Sequence, residues 1–261
     1  MANVERTFRG IGVDVGNSAI HVGWFDGTAI SLPQPGNVLY LNNGALDISL
    51  LAKWVATQVN EPVAWRIASV NDSAADKLVS WLQAEHTEHV VRRITHRDVA
   101  IPIRVEYPEK VGVDRLMAVT AAEYLTQGDP AIVVDAGTAV TVDLLAEHAF
   151  QGGAILPGMR MSAAALDRYT DKLPMVHTAD MDTPEAIGRN TLQAMQSGIF
   201  WGTVGAVGEL TRRLTTNLPS AGRIFVTGGD GRALTPHIHS AEHIPDLVLS
   251  GIALVGEPSD G

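Results

Sequence analysis

Two segments of this chain repeat one pattern, and the repeat limits the folds open to it. Residues 10–15 form an apolar, β-branched run that leads into Asp14-Val15-Gly16-Asn17-Ser18, and a second such run, residues 21–25, closes at Asp26-Gly27. The same sequence of features recurs at Asp135-Ala136-Gly137-Thr138-Ala139-Val140-Thr141: an acid ending a strand, a glycine two residues on, a hydroxyl and a return strand. Short alternating runs joined by glycine-containing polar turns read as β-hairpins. A unit that occurs twice predicts a duplicated α/β architecture of two lobes with a central cleft, divided as residues 1–115 and 116–261. No low-complexity linker interrupts the chain.

The residue types in these loops suit phosphate chemistry. Glycine lets the backbone approach an anion without a Cβ in the way. Asn17, Ser18 and Thr138, with the loop N–H groups, can donate to phosphate oxygens, and an aspartate at a strand end can hold a cation or its water shell. The same residues also make ordinary turns. It is the second copy that favours the nucleotide reading, since two such loops could clamp a polyphosphate and its cation. Neither loop is a P-loop, because no Gly-Lys-Ser/Thr follows. Neither is a dinucleotide fingerprint, because each returns into a strand instead of opening a helix.

Between the loops lies Val111-Gly112-Val113-Asp114-Arg115. A carboxylate at the start of a helix can accept a hydroxyl proton, and an adjacent arginine can pair with a carboxylate or phosphate; an ordinary surface Asp–Arg pair would look the same. Gly188-Arg189-Asn190-Thr191 opens a long helix, with Asn190 as its cap. Gly198, Gly202 and Gly205 share one face of that helix and would admit a close neighbour. The apolar stretch 192–210 carries Gln193, Gln196, Ser197 and Thr203 and reads as a buried helix, not a membrane span. Helices are also expected over 46–59, 73–85, 114–124 and 162–169, and one starting at Thr183-Pro184. Strands are expected over 64–70, 131–135, 154–156 and 224–227, and His237-Ile238-His239 reads as a surface strand. The histidines show no convincing metal-ligand spacing.

With 29 acidic against 19 basic side chains, the net charge of -10 argues against general binding to nucleic acid or anionic membranes. The absence of cysteine excludes disulfides and thiolate chemistry. Residues 1–9 carry charges and no apolar core, so no secretory signal is expected and the setting is read as cytoplasmic.

Taken in order, Asp14–Ser18, Gly112–Arg115, Asp135–Ala139, the Gly-Gly-x-Ile-x-Pro-Gly run at 152–158, and Gly188–Thr191 resemble the marks of the type III pantothenate kinases. That family belongs to the acetate/sugar-kinase, heat-shock-protein and actin superfamily, so the resemblance implies two ribonuclease-H-like lobes. It implies ATP-dependent phosphorylation of pantothenate to 4'-phosphopantothenate, the first step of coenzyme A biosynthesis. By position it implies Asp114 as proton acceptor, with Gly112, Val113, Arg115 and Thr191 around pantothenate. It assigns Asp14, Val15, Gly16, Asn17, Ser18, Ala19, Ile20, His21 and Thr138 to ATP, and Asp135 to a monovalent cation, potassium or ammonium, besides Mg²⁺. A homodimer is also implied. Three positions depart from the family pattern: Val105 stands where a tyrosine is usual, with Tyr107 two residues on, Val113 replaces an alanine, and Val140 a threonine. The alternative is a non-catalytic regulatory binding protein of the Bvg accessory factor type.

Overall fold

The computed structural model describes residues 8–28, 31–178, 181–216, 218 and 222–256. Most of residues 1–9, on which the reading of the N-terminus rests, lies outside them. By its internal contacts the chain divides into residues 1–125 with 246–261, and residues 126–245.

The first unit contains β1 (Arg9–Val15), β2 (Ala19–Asp26), β3 (Asn37–Asn42), α1 (Ile48–Gln58), β4 (Ala64–Ser69), α2 (Asp72–Glu85), β5 (Val90–Arg93) and α3 (Val113–Thr126). The second contains β6 (Ala131–Ala136), β7 (Ala139–Ala146), β8 (Ala149–Pro157), α4 (Met159–Arg168), α5 (Thr191–Leu214), β9 (Arg223–Thr227), α6 (Gly231–Leu234) and β10 (Ala241–His243). The last helix, α7 (Leu247–Leu254), returns to the first unit. The expected division after residue 115 therefore falls inside α3.

The two sheets have one topology. Their strand orders are β3-β2-β1-β4-β5 and β8-β7-β6-β9-β10. In each, an antiparallel three-stranded meander is extended by two parallel strands. Parallel neighbours need long crossovers, and these bring helices to the sheet. The central strands β1 and β6 are accordingly apolar nearly throughout. Each has one half-buried position near its C-terminal end, and those positions are Asp14 and Asp135.

α7 has no polar face. All eight residues are buried, and it packs on β1, β2 and β4. It also meets α3: a Cβ built on Gly251 would lie 2.5 Å from the Met117 carbonyl carbon and 2.9 Å from its Cα. Arg66, buried in β4, donates to the carbonyl of Ala253 at 3.0 Å and stacks over the Phe8 ring at 4.0 Å. A buried guanidinium needs such partners.

Several expected elements differ. Thr183-Pro184 starts no helix; the segment is irregular, held by Trp201 Nε1 donating to the Pro184 carbonyl and Ser197 Oγ to that of Ala186. His237 ends a short 3₁₀ turn, Thr235–His237, and does not begin a strand, because Ile238 is drawn into the core. The strand at 154–156 is the end of the longer β8. The long helix α5 is buried on one side only, through Met195, Ile199, Phe200, Thr203 and Val207, while Gly198, Gly202 and Gly205 face open space among the described residues. No described helix is long and apolar enough to cross a membrane.

Candidate functional site

In the first unit the loop after β1 closes on itself, with Gly16 N–H donating to the Ala19 carbonyl at 2.9 Å. In the second, Gly137 N–H donates to the Ala139 carbonyl at 3.0 Å. The repeat seen in sequence is thus a repeat of backbone geometry, one residue longer in the first copy. Asn43 braces the first loop, its amide donating to the Gly16 carbonyl at 2.6 Å and its backbone N–H to that of Ser18 at 3.0 Å. Asp14 pairs across the strands with His21, whose Nδ1 lies 4.0 Å from Asp14 Oδ2. Burial lowers the pKa of His21, against an opposing pull from Asp246.

Gly112–Arg115 lies beside this loop. A Cβ on Gly112 would meet Val70 Cγ1 at 3.4 Å, and Val70 N–H donates to the carbonyl of Val15, the residue after Asp14. Asp114 sits in the first turn of α3, where Arg115 N–H donates to its Oδ1 at 2.8 Å. Burial nonetheless raises its pKa above the ordinary carboxylate value, with Arg115 and that bond acting the other way. Desolvation of this kind makes a carboxylate a stronger base. Val105 is half-buried, while Tyr107 is exposed with the Lys110 ammonium over its ring at 4.6 Å.

In the second unit two segments converge on the Asp135 loop. Gly158 N–H donates to the Thr138 carbonyl at 3.1 Å, and Asp230 N–H to the Ala136 carbonyl at 2.9 Å. Gly228, at φ +86°, presses on the loop so closely that a Cβ there would lie 2.6 Å from the Ala136 carbonyl. Thr141, directly across the strands from Asp135, has its hydroxyl buried with no hydrogen-bond partner among the described residues. A carboxylate and an orphaned hydroxyl form an all-oxygen donor set, which suits a hard cation. Burial also raises Asp230 to about 6, partly offset by Arg160. The sequence alone assigns no role to Thr141, Gly228 or Asp230. A third strand ending in glycines and an aspartate, Val226-Thr227-Gly228-Gly229-Asp230, was the available signal.

Thr191, the exposed first residue of α5, borders a cavity of about 930 Å³ between α4 and α5. Met161, Leu166, Tyr169, Leu173, Met195 and Ile199 make its wall apolar. Asn190 caps the helix, its Oδ1 accepting from Gln193 N–H at 2.9 Å. The structure therefore gathers Asp14–His21 with Gly112–Arg115 in one unit, and Asp135 with Thr138 in the other.

Two like-ordered sheets, each with an acid-bearing hairpin at its central strand, define the actin-like fold of sugar kinases and related ATPases. Solved structures agree: a conserved Baf family protein from Campylobacter jejuni matches at TM-score 0.60 and 20% identity over 94% of this chain and 96% of its own. The ethanolamine utilization protein EutJ from Carboxydothermus hydrogenoformans matches at TM-score 0.51 and 15% identity over 95% and 89%. The family model for type III pantothenate kinase matches residues 11–213. The type III pantothenate kinase of Rhodopirellula baltica is 39% identical over 93% of this chain and 96% of its own. That of Chlorobaculum parvum is 33% identical over 93% and 92%. This chain belongs to the type III pantothenate kinase family.

Proposed function

We propose that the protein transfers a phosphoryl group from ATP to the primary hydroxyl of pantothenate, giving 4'-phosphopantothenate for coenzyme A synthesis in the cytoplasm. The observation that carries this reading is Asp114, a carboxylate made more basic by burial and set beside the loop that follows β1. Phosphoryl transfer asks the protein for positioning and charge stabilisation more than for covalent chemistry. In this reading Asp114 orients the hydroxyl and takes its proton. Gly112, Val113, Arg115 and Thr191 hold pantothenate, with the Arg115 guanidinium suited to its carboxylate. Asp14 to His21 and Thr138 bind ATP through backbone N–H groups and side-chain donors. A divalent cation bound with the nucleotide supplies charge neutralisation across the phosphates. Asp14, half-buried at a strand end, is the residue to hold it. Asp135 with Thr141 is the donor set for the monovalent cation. The test is a coupled assay of ADP release with pantothenate, Mg²⁺ and potassium; no pantothenate-dependent turnover at any concentration overturns the reading.

Two further results are expected. Replacing potassium by sodium lowers the rate severalfold in wild-type protein, and indifference to the exchange removes the cation role from Asp135. Because burial raises Asp114, kcat/KM for pantothenate falls on acidification at a pH above the ordinary carboxylate range, since the base works only when ionised. A profile flat down to pH ~4 contradicts this. The open side of α5, flanked by exposed Ile155, Met161, Tyr169 and Leu192, supports a homodimer built on this face. Light scattering that gives the monomer mass removes it. A purely regulatory role is less well supported, because it leaves the half-buried, desolvated Asp114 without a task.

A further inference from the structure

Asp14, His21 and Tyr40 lie side by side across three strands, since Asp14 pairs with His21 in β1–β2 and His21 with Tyr40 in β2–β3. The row is in contact throughout. His21 Nδ1 is 4.0 Å from Asp14 Oδ2, and the His21 and Tyr40 rings meet edge to face with centroids 4.9 Å apart at 73°. The row then leaves the sheet, because the Tyr40 hydroxyl donates to Asp246 Oδ1 at 3.1 Å and lies 3.3 Å from its Oδ2. These two residues are 206 apart in sequence.

Asp246 is unusual in its own right. It occupies the N-cap position of α7 in the left-handed region, at φ 55°, and its side chain makes no capping bond. Aspartate tolerates this conformation better than most residues, yet it is a strained choice that surrounding structure must hold. A carboxylate here that capped its helix would stabilise α7. Its direction toward Tyr40 and His21 is therefore a cost borne for another purpose. The negative charge of Asp246 also acts on His21.

We propose that Tyr40 and Asp246 are positioning residues for the phosphate loop: together they fix the His21 ring, which fixes the carboxylate of Asp14. Tyr40 contributes twice. Its ring packs against that of His21 and sets its plane, and its hydroxyl is held by Asp246, which fixes the Tyr40 ring in turn. This inference rests on the reading of Asp14 as a residue of the nucleotide site.

The test uses full-length protein with Tyr40→Phe, Asp246→Ala and Asp246→Asn, and no variant alters a residue assigned to ATP. Calorimetric titration with Mg·ATP is expected to show binding weakened about threefold to tenfold in Tyr40→Phe and Asp246→Ala. Asp246→Asn, which keeps an oxygen to accept from Tyr40, stays within about twofold of wild type. In nucleotide-free protein the ¹⁵N resonances of the His21 ring shift in Tyr40→Phe. Thermal midpoints within a few degrees of wild type show that the fold is intact. Wild-type protein that binds no Mg·ATP overturns the reading of Asp14 and this inference with it. Wild-type binding with Tyr40→Phe unchanged, or an unshifted His21 ring in that variant, overturns this inference alone.

Discussion

Asp114→Asn lowers kcat for pantothenate phosphorylation by about 10²- to 10⁴-fold, the range that a general base contributes. Asparagine keeps the shape and can still accept from Arg115 N–H, but it cannot take a proton. Mg·ATP affinity, measured by titration, changes little, because the substitution leaves the Asp14 loop in place. The same variant is expected to melt slightly higher than wild type. The sign follows from linkage: burial raises the folded-state pKa of Asp114 above its unfolded value. The folded state then binds more protons than the unfolded one, and stability falls as pH rises through the window between the two values. At neutral pH the ionised carboxylate is thus a cost that asparagine removes. A variant with unimpaired kcat removes Asp114 from the chemistry, and one that melts well below wild type contradicts the desolvation argument.

Gly251→Ala destabilises the first unit by about 3 kcal/mol or more, the upper part of the range for overpacking a rigid core. The new methyl group would fall 2.5 Å from the Met117 carbonyl carbon, and that atom is backbone in the middle of α3. No side chain can rotate to make room, so α3 and α7 must separate. For a chain of this size the loss corresponds to roughly 6–12 °C in Tm. Calorimetry reads it directly, and a Tm within 2 °C of wild type refutes the contact. Since α3 carries Asp114 in its first turn, residual activity is expected to fall with stability.

Much of the site was legible because its residues sit where the chain must turn. Asp14 and Asp135 end apolar runs, and glycine two positions later announces the hairpin in both. Asn190 showed the start of α5 through cap chemistry alone. What escaped notice lacks a local pattern. α7 is apolar all round, so no amphipathic period marks it, and only the packed fold distinguishes it from a strand. β5 is four residues long with two arginines, too short and too charged to stand out. Thr183-Pro184 carries a helix-start signal that tertiary contacts overrule, since Trp201 and Ser197 tie that segment to α5. Thr141 was passed over as part of the return strand, and only its register against Asp135 gives it meaning. Tyr40 and Asp246 are joined by folding alone.

The discontinuity of the first unit also orders events during synthesis. Residues 126–245 form an unbroken stretch, so the second unit has its whole complement of strands before α7 is made. The first unit, although begun earlier, lacks the fully buried α7 until Leu247–Leu254 have been made. Gly12, Gly23 and the neighbouring positions of β1 and β2 that α7 covers stay exposed until then. The nascent chain therefore carries an uncovered apolar sheet face until α7 is made, the kind of surface chaperones bind.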